Sequence, residues 1–155
     1  MIEYAKLYDV KNPTRGTELS AGIDFFVPEF SSEFIKRFKE KNPSCGYTNE
    51  FVFVKNHERI LIPSGLKVKL PTNTALIAFN KSGIATKTGL IVGACVVDQD
   101  YQGEVFISLI NTTSSNINIS YGQKIVQFIL TPILFNDLVE KTEDELYNTI
   151  TERGS

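Results

Sequence analysis

The strongest constraint on the fold of this chain is its rhythm: short apolar runs, each closed off by Gly, Pro, Asn, Asp or Ser. Strand-like runs cover 2–7, 22–27, 51–54, 59–62, 65–70, 75–79, 90–97, 105–110, 117–119 and 124–130. Many short strands with dense turn punctuation predict an all-β sandwich or barrel. One segment breaks the rhythm. In Ser31 to Lys41, Phe34, Ile35 and Phe38 share a helical face, and Ser31 or Ser32 can cap the first turn. The expectation is an all-β architecture with one short helix.

Polar residues interrupt the apolar pattern in four segments. In 93–105, the run Ala94-Cys95-Val96-Val97 is followed at once by Asp98. An acid placed there leaves the core at a rim where a ligand can sit. Asp100-Tyr101-Gln102-Gly103 reads as a turn and the strand resumes at Val105, which predicts a hairpin whose tip carries acid, ring and amide together. In 20–28, small residues allow close backbone approach, while Asp24 stands within an apolar strand where an uncompensated carboxylate is costly. In 80–90, a strand runs into Lys81-Ser82-Gly83, whose backbone N–H groups, hydroxyl and ammonium suit a phosphate. In 121–130, the turn residue Gly122 starts a strand that buries Ile125, Val126, Phe128 and Ile129 and keeps Gln127 polar. Each segment, taken singly, also reads as ordinary turn or strand-end chemistry.

At 155 residues and 42% hydrophobic content the chain is expected to form one domain with a sizeable core. Its formal net charge of −2 carries no basic excess, which argues against a general nucleic-acid groove and leaves a phosphorylated ligand to local groups. Met1-Ile2-Glu3-Tyr4 lacks a basic leader followed by an apolar run, and no run approaches the length of a membrane span. A cytoplasmic protein is expected, or one of the host cytoplasm or nucleus if the source is viral. Cys45 and Cys95 make neither a disulfide framework nor a metal ligand set, and Cys95 reads as a small buried hydrophobe. His57 and the Asn111 to Asn116 loop are given no role.

Taken in order, the four segments resemble the motifs of the trimeric dUTPase family, the dUTP nucleotidohydrolases. Ala21-Gly22-Ile23-Asp24 is similar to its first motif, and Lys81-Ser82-Gly83-Ile84-Ala85 to its second. Gly93 to Glu104 is similar to the third, and Gly122-Gln123-Lys124-Ile125-Val126-Gln127 to the fourth. The string DQDYQGE, Asp98 to Glu104, is the most specific element, and ILIPSGLKVKLP, Ile60 to Pro71, matches the family's segment before the second motif. Two departures stand out. Where the family reads Pro-Arg-Ser-Gly this chain has Asn80-Lys81-Ser82-Gly83, which keeps the charge and loses the bidentate fork. The family's C-terminal glycine-rich arm begins Arg-Gly, and here the sequence stops at Arg153-Gly154-Ser155, which implies an arm truncated after Ser155.

The resemblance implies a single domain over 1–155, a jelly-roll-like β-barrel or sandwich in which 30–49 is a helix-loop insertion. It also implies hydrolysis of dUTP to dUMP and pyrophosphate with Mg²⁺, which lowers dUTP and supplies dUMP for dTMP synthesis. Asp98 would orient and deprotonate the attacking water and contact the sugar 3′-hydroxyl. Tyr101 would lie beneath the deoxyribose and exclude a 2′-hydroxyl, while backbone groups of Ala94, Cys95 and Val96 would read uracil. Lys81, Ser82, Gly83 and Arg153 would hold phosphates, Gln127 would reach the phosphate or the water, and Asp24 would act through water on Mg²⁺. The family's homotrimers share each site between subunits, and the charge and the short apolar runs leave no nucleic acid or membrane partner expected. The insertion is expected to be surface decoration or, on a sharper reading, a protein-partner element. Two alternatives stay open: a dCTP deaminase of the same fold, whose glutamate base is missing from 93–98, and a nucleotide-binding regulator with weak turnover.

Overall fold

Alternation written in the sequence becomes alternation of burial. In β1 (Glu3–Lys6) every side chain is exposed, whereas along β7 (Leu66–Lys69) Leu66 and Val68 point inward and both lysines outward. The computed structural model describes residues 1–147, and Arg153 with the expected arm lies outside the described residues.

The remaining strands are β2 (Thr14–Arg15), β3 (Ile23–Phe26), β4 (Gly46–Tyr47), β5 (Phe51–Val54), β6 (Arg59–Pro63), β8 (Thr74–Phe79), β9 (Leu90–Val92), β10 (Val96–Val97), β11 (Phe106–Asn111), β12 (Ile117–Ser120) and β13 (Lys124–Pro132). They form a five-stranded sheet β10-β8-β13-β3-β2, two three-stranded sheets β6-β11-β9 and β12-β5-β4, and the pair β1-β7. All pairings are antiparallel. Chain-distant strands meet in a nested order: β3 with β13, β5 with β12, β6 with β11. That nesting is the jelly-roll-like arrangement. The core it encloses is aliphatic and aromatic, with Ile60, Ile62, Leu66, Leu109, Ile119 and Val126 at 0–1% exposure.

The helix expected in the insertion is α1 (Ser32–Lys41), capped by Ser31, whose Oγ accepts from the Phe34 backbone N–H at 3.3 Å. Phe34 and Phe38 are both wholly buried and stack at 5.8 Å, with Phe30 and Tyr8 packed against Phe34. Burying each ring is worth roughly 2–3 kcal/mol. At the far end, Asn42 is buried and locks the helix to β6, donating from Nδ2 to the Phe38 and Leu61 carbonyls and accepting from Leu61 N–H at 2.8 Å. The inner face of the helix is therefore part of the core, and the expectation that 30–49 is mere surface decoration is corrected by its inward-facing phenylalanines.

Other differences have local causes. The run 90–97 is two strands: the Gly93 N–H still donates to the Ser108 carbonyl at 2.9 Å, and after it the chain leaves β11 to pair with β8 as β10. The expected hairpin does not form: β10 pairs with β8, and β11 pairs with β6 and β9. The turn at Lys81-Ser82-Gly83 continues into a short helix α2 (Ser82–Thr88), an element not expected from the sequence, closed by Gly89 at φ 72, and Glu143–Leu146 forms α3 with a capping box at Thr142. The buried thiol is Cys45, while Cys95 is only partly covered. No helix among the described residues is long and apolar enough to cross a membrane.

Candidate active site

The third motif builds one half of a site. β10 is followed at once by the exposed Asp98, and the turn that starts there is closed by the Tyr101 backbone N–H donating to the Asp98 carbonyl at 3.2 Å. Tyr101 then folds over its own turn: its hydroxyl donates to the Glu104 carbonyl at 2.8 Å, and the ring lies so close to Gly103 that a Cβ there would meet the hydroxyl at 2.5 Å. Only glycine fits beneath that ring. Behind Asp98 and Tyr101 lies a cavity of about 230 Å³ lined by Ala94, Cys95, Val96, Phe106 and Phe128. It is mostly apolar, with backbone edges at 94–96. One of those edges is already used, since the Ala78 N–H donates to the Cys95 carbonyl at 2.7 Å.

Glu104, which sequence reasoning counted in the motif without a role, anchors this half. It is 5% exposed, and its Oε1 accepts from the Tyr8 hydroxyl at 2.5 Å and from the Gly65 N–H at 2.7 Å. Its Oε2 accepts from Arg37 Nη1 at 3.1 Å. Burial pushes the Tyr8 hydroxyl well above the ordinary phenol range, and the Glu104 carboxylate that it faces pushes the same way. Tyr8 is therefore a fixed neutral donor.

The first, second and fourth motifs build another half. Asp24 is 4% exposed on β3, and it is not uncompensated: Lys81 Nζ lies 2.5 Å from Oδ1 and Lys124 Nζ 3.1 Å from Oδ2. Lys124, which sequence reasoning quoted without a role, makes the cluster cationic overall. Gln127 pairs with Asp24 across the strands, and its Nε2 donates to the Asn80 carbonyl at 2.9 Å. Gly22 makes room for it, since a Cβ at 22 would sit 2.2 Å from Gln127 Oε1. Ser82 and Gly83 stand exposed at the start of α2, where the first N–H groups have no helical partner. A Cβ at Gly83 would touch nothing within 4 Å, so nothing in the chain's own packing requires that glycine.

The two halves do not meet within one chain. On β8, Val97 pairs with Leu76 and Gln127 pairs with Phe79, on opposite flanks of the strand. Three residues of rise and two inter-strand spacings put Val97 and Gln127 roughly 14 Å apart, with Asp98 one residue further. For the metal expected at the second half, Asp24 supplies a single carboxylate, which is the donor set of a magnesium that keeps most of its waters. The two lysines compete for it, and no group of three or more His, Cys, Asp or Glu among the described residues could cage a metal outright.

The sequence and the fold have known counterparts. The dUTPase family model matches residues 47–154. The dUTP nucleotidohydrolase of Candida albicans is 31% identical over 144 residues, spanning 93% of this chain and 76% of the relative. That of Arabidopsis thaliana is 32% identical over 142 residues, spanning 92% and 72%. Among solved structures, a dUTPase from a Staphylococcus aureus phage that coordinates a structural Mg(II) ion superposes at TM-score 0.72 with 19% identity, covering 94% of this chain and 99% of that one. The family match over most of the chain and the identity across nearly all of it establish that this chain belongs to the dUTPase family.

Proposed function

We propose that the chain hydrolyses dUTP to dUMP and pyrophosphate with the two half-sites described above, joined across subunits of a homotrimer. The observation that carries the reading is their division of labour: an apolar, ring-bearing half that suits base and sugar, and a cationic half that suits phosphates. Neither half can turn over a nucleoside triphosphate alone.

In this reading Asp98 sits exposed at the mouth of the cavity and takes the proton of the attacking water while contacting the sugar. General-base catalysis of this kind contributes about 10² to 10⁴ in rate. The Tyr101 ring, pinned over Gly103, leaves no space for a 2′-hydroxyl, and rejection by overlap is sharper than rejection by a lost contact. Ala94, Cys95 and Val96 present backbone groups to uracil. From another subunit, Lys81, Ser82 and the N–H groups at Gly83 hold the phosphate chain, and Gln127 reaches a phosphate oxygen or the water. Lys81 is a point charge, so it can leave Asp24 for a phosphate without the geometric demands of a guanidinium. Asp24 would then hold Mg²⁺ through its water shell, and the metal would supply neutralisation of charge on the triphosphate. Arg153 belongs to the same phosphate-holding set. A cytoplasmic place of work goes with a free nucleotide substrate.

A product assay tests this. Incubation of the full chain with dUTP and Mg²⁺ should release pyrophosphate and dUMP in equal amounts. Intact dUTP, or ammonia released from dCTP, would overturn the reading. Calorimetry with a non-hydrolysable dUTP analogue separates an enzyme from a nucleotide-binding regulator: tight binding with negligible turnover would favour the regulator.

A further inference from the structure

The turn that carries Tyr101 has few restraints of its own. Asp98 to Gln102 are all exposed, β10 contributes only two residues, and the local bonds are those of Tyr101 to Asp98 and Glu104 and of Gln99 to the Asn73 N–H. A ring that excludes a hydroxyl by overlap works only if it cannot recede. What stops it from receding lies behind the turn: the residue whose carbonyl holds the Tyr101 hydroxyl is Glu104, and the Glu104 carboxylate is fastened to Arg37, Tyr8 and Gly65. Arg37 is the cation of that set, and it comes from α1, which Phe34, Phe38 and Asn42 fix to the core. Its guanidinium is itself held in place, with Nε donating to Glu33 at 2.8 Å and the group lying 5.9 Å above the Tyr8 ring.

We propose that α1 braces the nucleotide site: Arg37, acting through Glu104, is a positioning residue that sets the height of the Tyr101 ring and with it the selection of deoxyribose over ribose. The inference rests on the reading of Tyr101 as the sugar-facing residue. A buried carboxylate that loses its cation must find water or another donor, and the route open to Glu104 is outward movement that carries the 101–104 turn with it. Tyr8 and Gly65 supply hydrogen bonds but no charge, so they cannot replace Arg37.

The test is the dUTP over UTP ratio of kcat/KM in Arg37→Met, which keeps the aliphatic length against Tyr8 and removes the fork. The ratio should fall by about tenfold, in line with the cost of sub-ångström to ångström misplacement by a substitution remote from the chemistry. Arg37→Lys restores the charge and should recover much of the ratio, whereas Glu33→Gln should leave it within error. A merely stabilising Arg37 would lower Tm and leave the ratio untouched, and that result would overturn the proposal. Should Arg37→Met fail to fold, Glu104→Gln gives the same readout: it preserves shape but confronts Arg37 with an amide, and an unchanged ratio there overturns the brace equally. Failure of the underlying reading is distinguishable, since a wild-type chain that leaves dUTP intact has no ratio to lose.

Discussion

The third-motif turn and the Asp24 cluster both hold a nearly buried carboxylate, yet they hold it for opposite purposes. Glu104 is closed in by the half-buried Tyr8 phenol, the buried Gly65 N–H and the Arg37 guanidinium, which is 35% exposed but gripped from both sides by Glu33 and Glu104. Asp24 is closed in by two lysines whose side chains are 25% and 43% exposed. The first arrangement holds its cation between two carboxylates, and the second keeps its cations on flexible stems that can turn to a ligand. A rigid wall that judges shape and a mobile pair of charges that follows phosphate are what base-and-sugar recognition and phosphate handling respectively require.

That contrast can be broken most severely at the chemistry. Asp98→Asn should lower kcat by about 10² to 10⁴, with binding of a non-hydrolysable dUTP analogue within a fewfold of wild type by calorimetry. Equal turnover in the mutant would move the base elsewhere, with Asp24 next in line. Next in size is the pairing itself. Glu104→Ala strands the Tyr8 hydroxyl and the Gly65 N–H while Arg37 can turn to solvent, and should cost about 2–3 kcal/mol of unfolding free energy in denaturant titration. Asp24→Asn leaves its two lysines to solvent and should cost nearer 1 kcal/mol, with its main effect on KM. Equal destabilisation by the two would erase the distinction between wall and clamp. Tyr101→Ala sharpens it further: the dUTP over UTP ratio of kcat/KM should narrow, whereas a proportional loss toward both nucleotides, with a lowered Tm, would make the ring a packing residue only.

The smallest effect is alkaline. Because the Tyr8 hydroxyl titrates higher in the folded chain than the ordinary phenol value of about 10, its contribution is fully present below that pH. Above it the unfolded chain ionises first, so stability should decline as pH rises toward the folded value. Tyr8→Phe should flatten that decline in thermal melts taken across the alkaline range. A decline as steep as wild type would assign it to other groups.

Much of this was legible in sequence, and what was not has a common physical reason. Strands such as β5, β7 and β11 announce themselves through their own side chains, because burial alternates with the pleat. The partner of a strand is not written in it. Asp98 to Glu104 looked like a hairpin tip because chain neighbours often pair, and only the fold gives β10 to β8. α2 was missed since Ser82–Thr88 is short and carries Gly and two Thr, which weaken any helical signal. Motif order singles out Asp98, Tyr101 and Lys81 as candidates, whereas the bonds of Glu104 to Arg37 and Tyr8 span 67 and 96 residues of sequence. No local pattern encodes such pairs. Lys124 stood in plain view within the fourth motif, and the buried acid at Asp24 was the signal that a second cation was needed.

The separation of Val97 from Gln127 on the two flanks of β8 has a genetic corollary. When the working site is stitched from two chains, lesions in its different parts need not add. A chain carrying Asp98→Asn still owns a sound phosphate half, and one carrying Gln127→Ala still owns a sound sugar half. Dissociated and reassembled together, the two dead preparations should yield some sites in which both intact halves face each other, and the mixture should hydrolyse dUTP where neither parent does. Two inactive alleles expressed together would then complement each other.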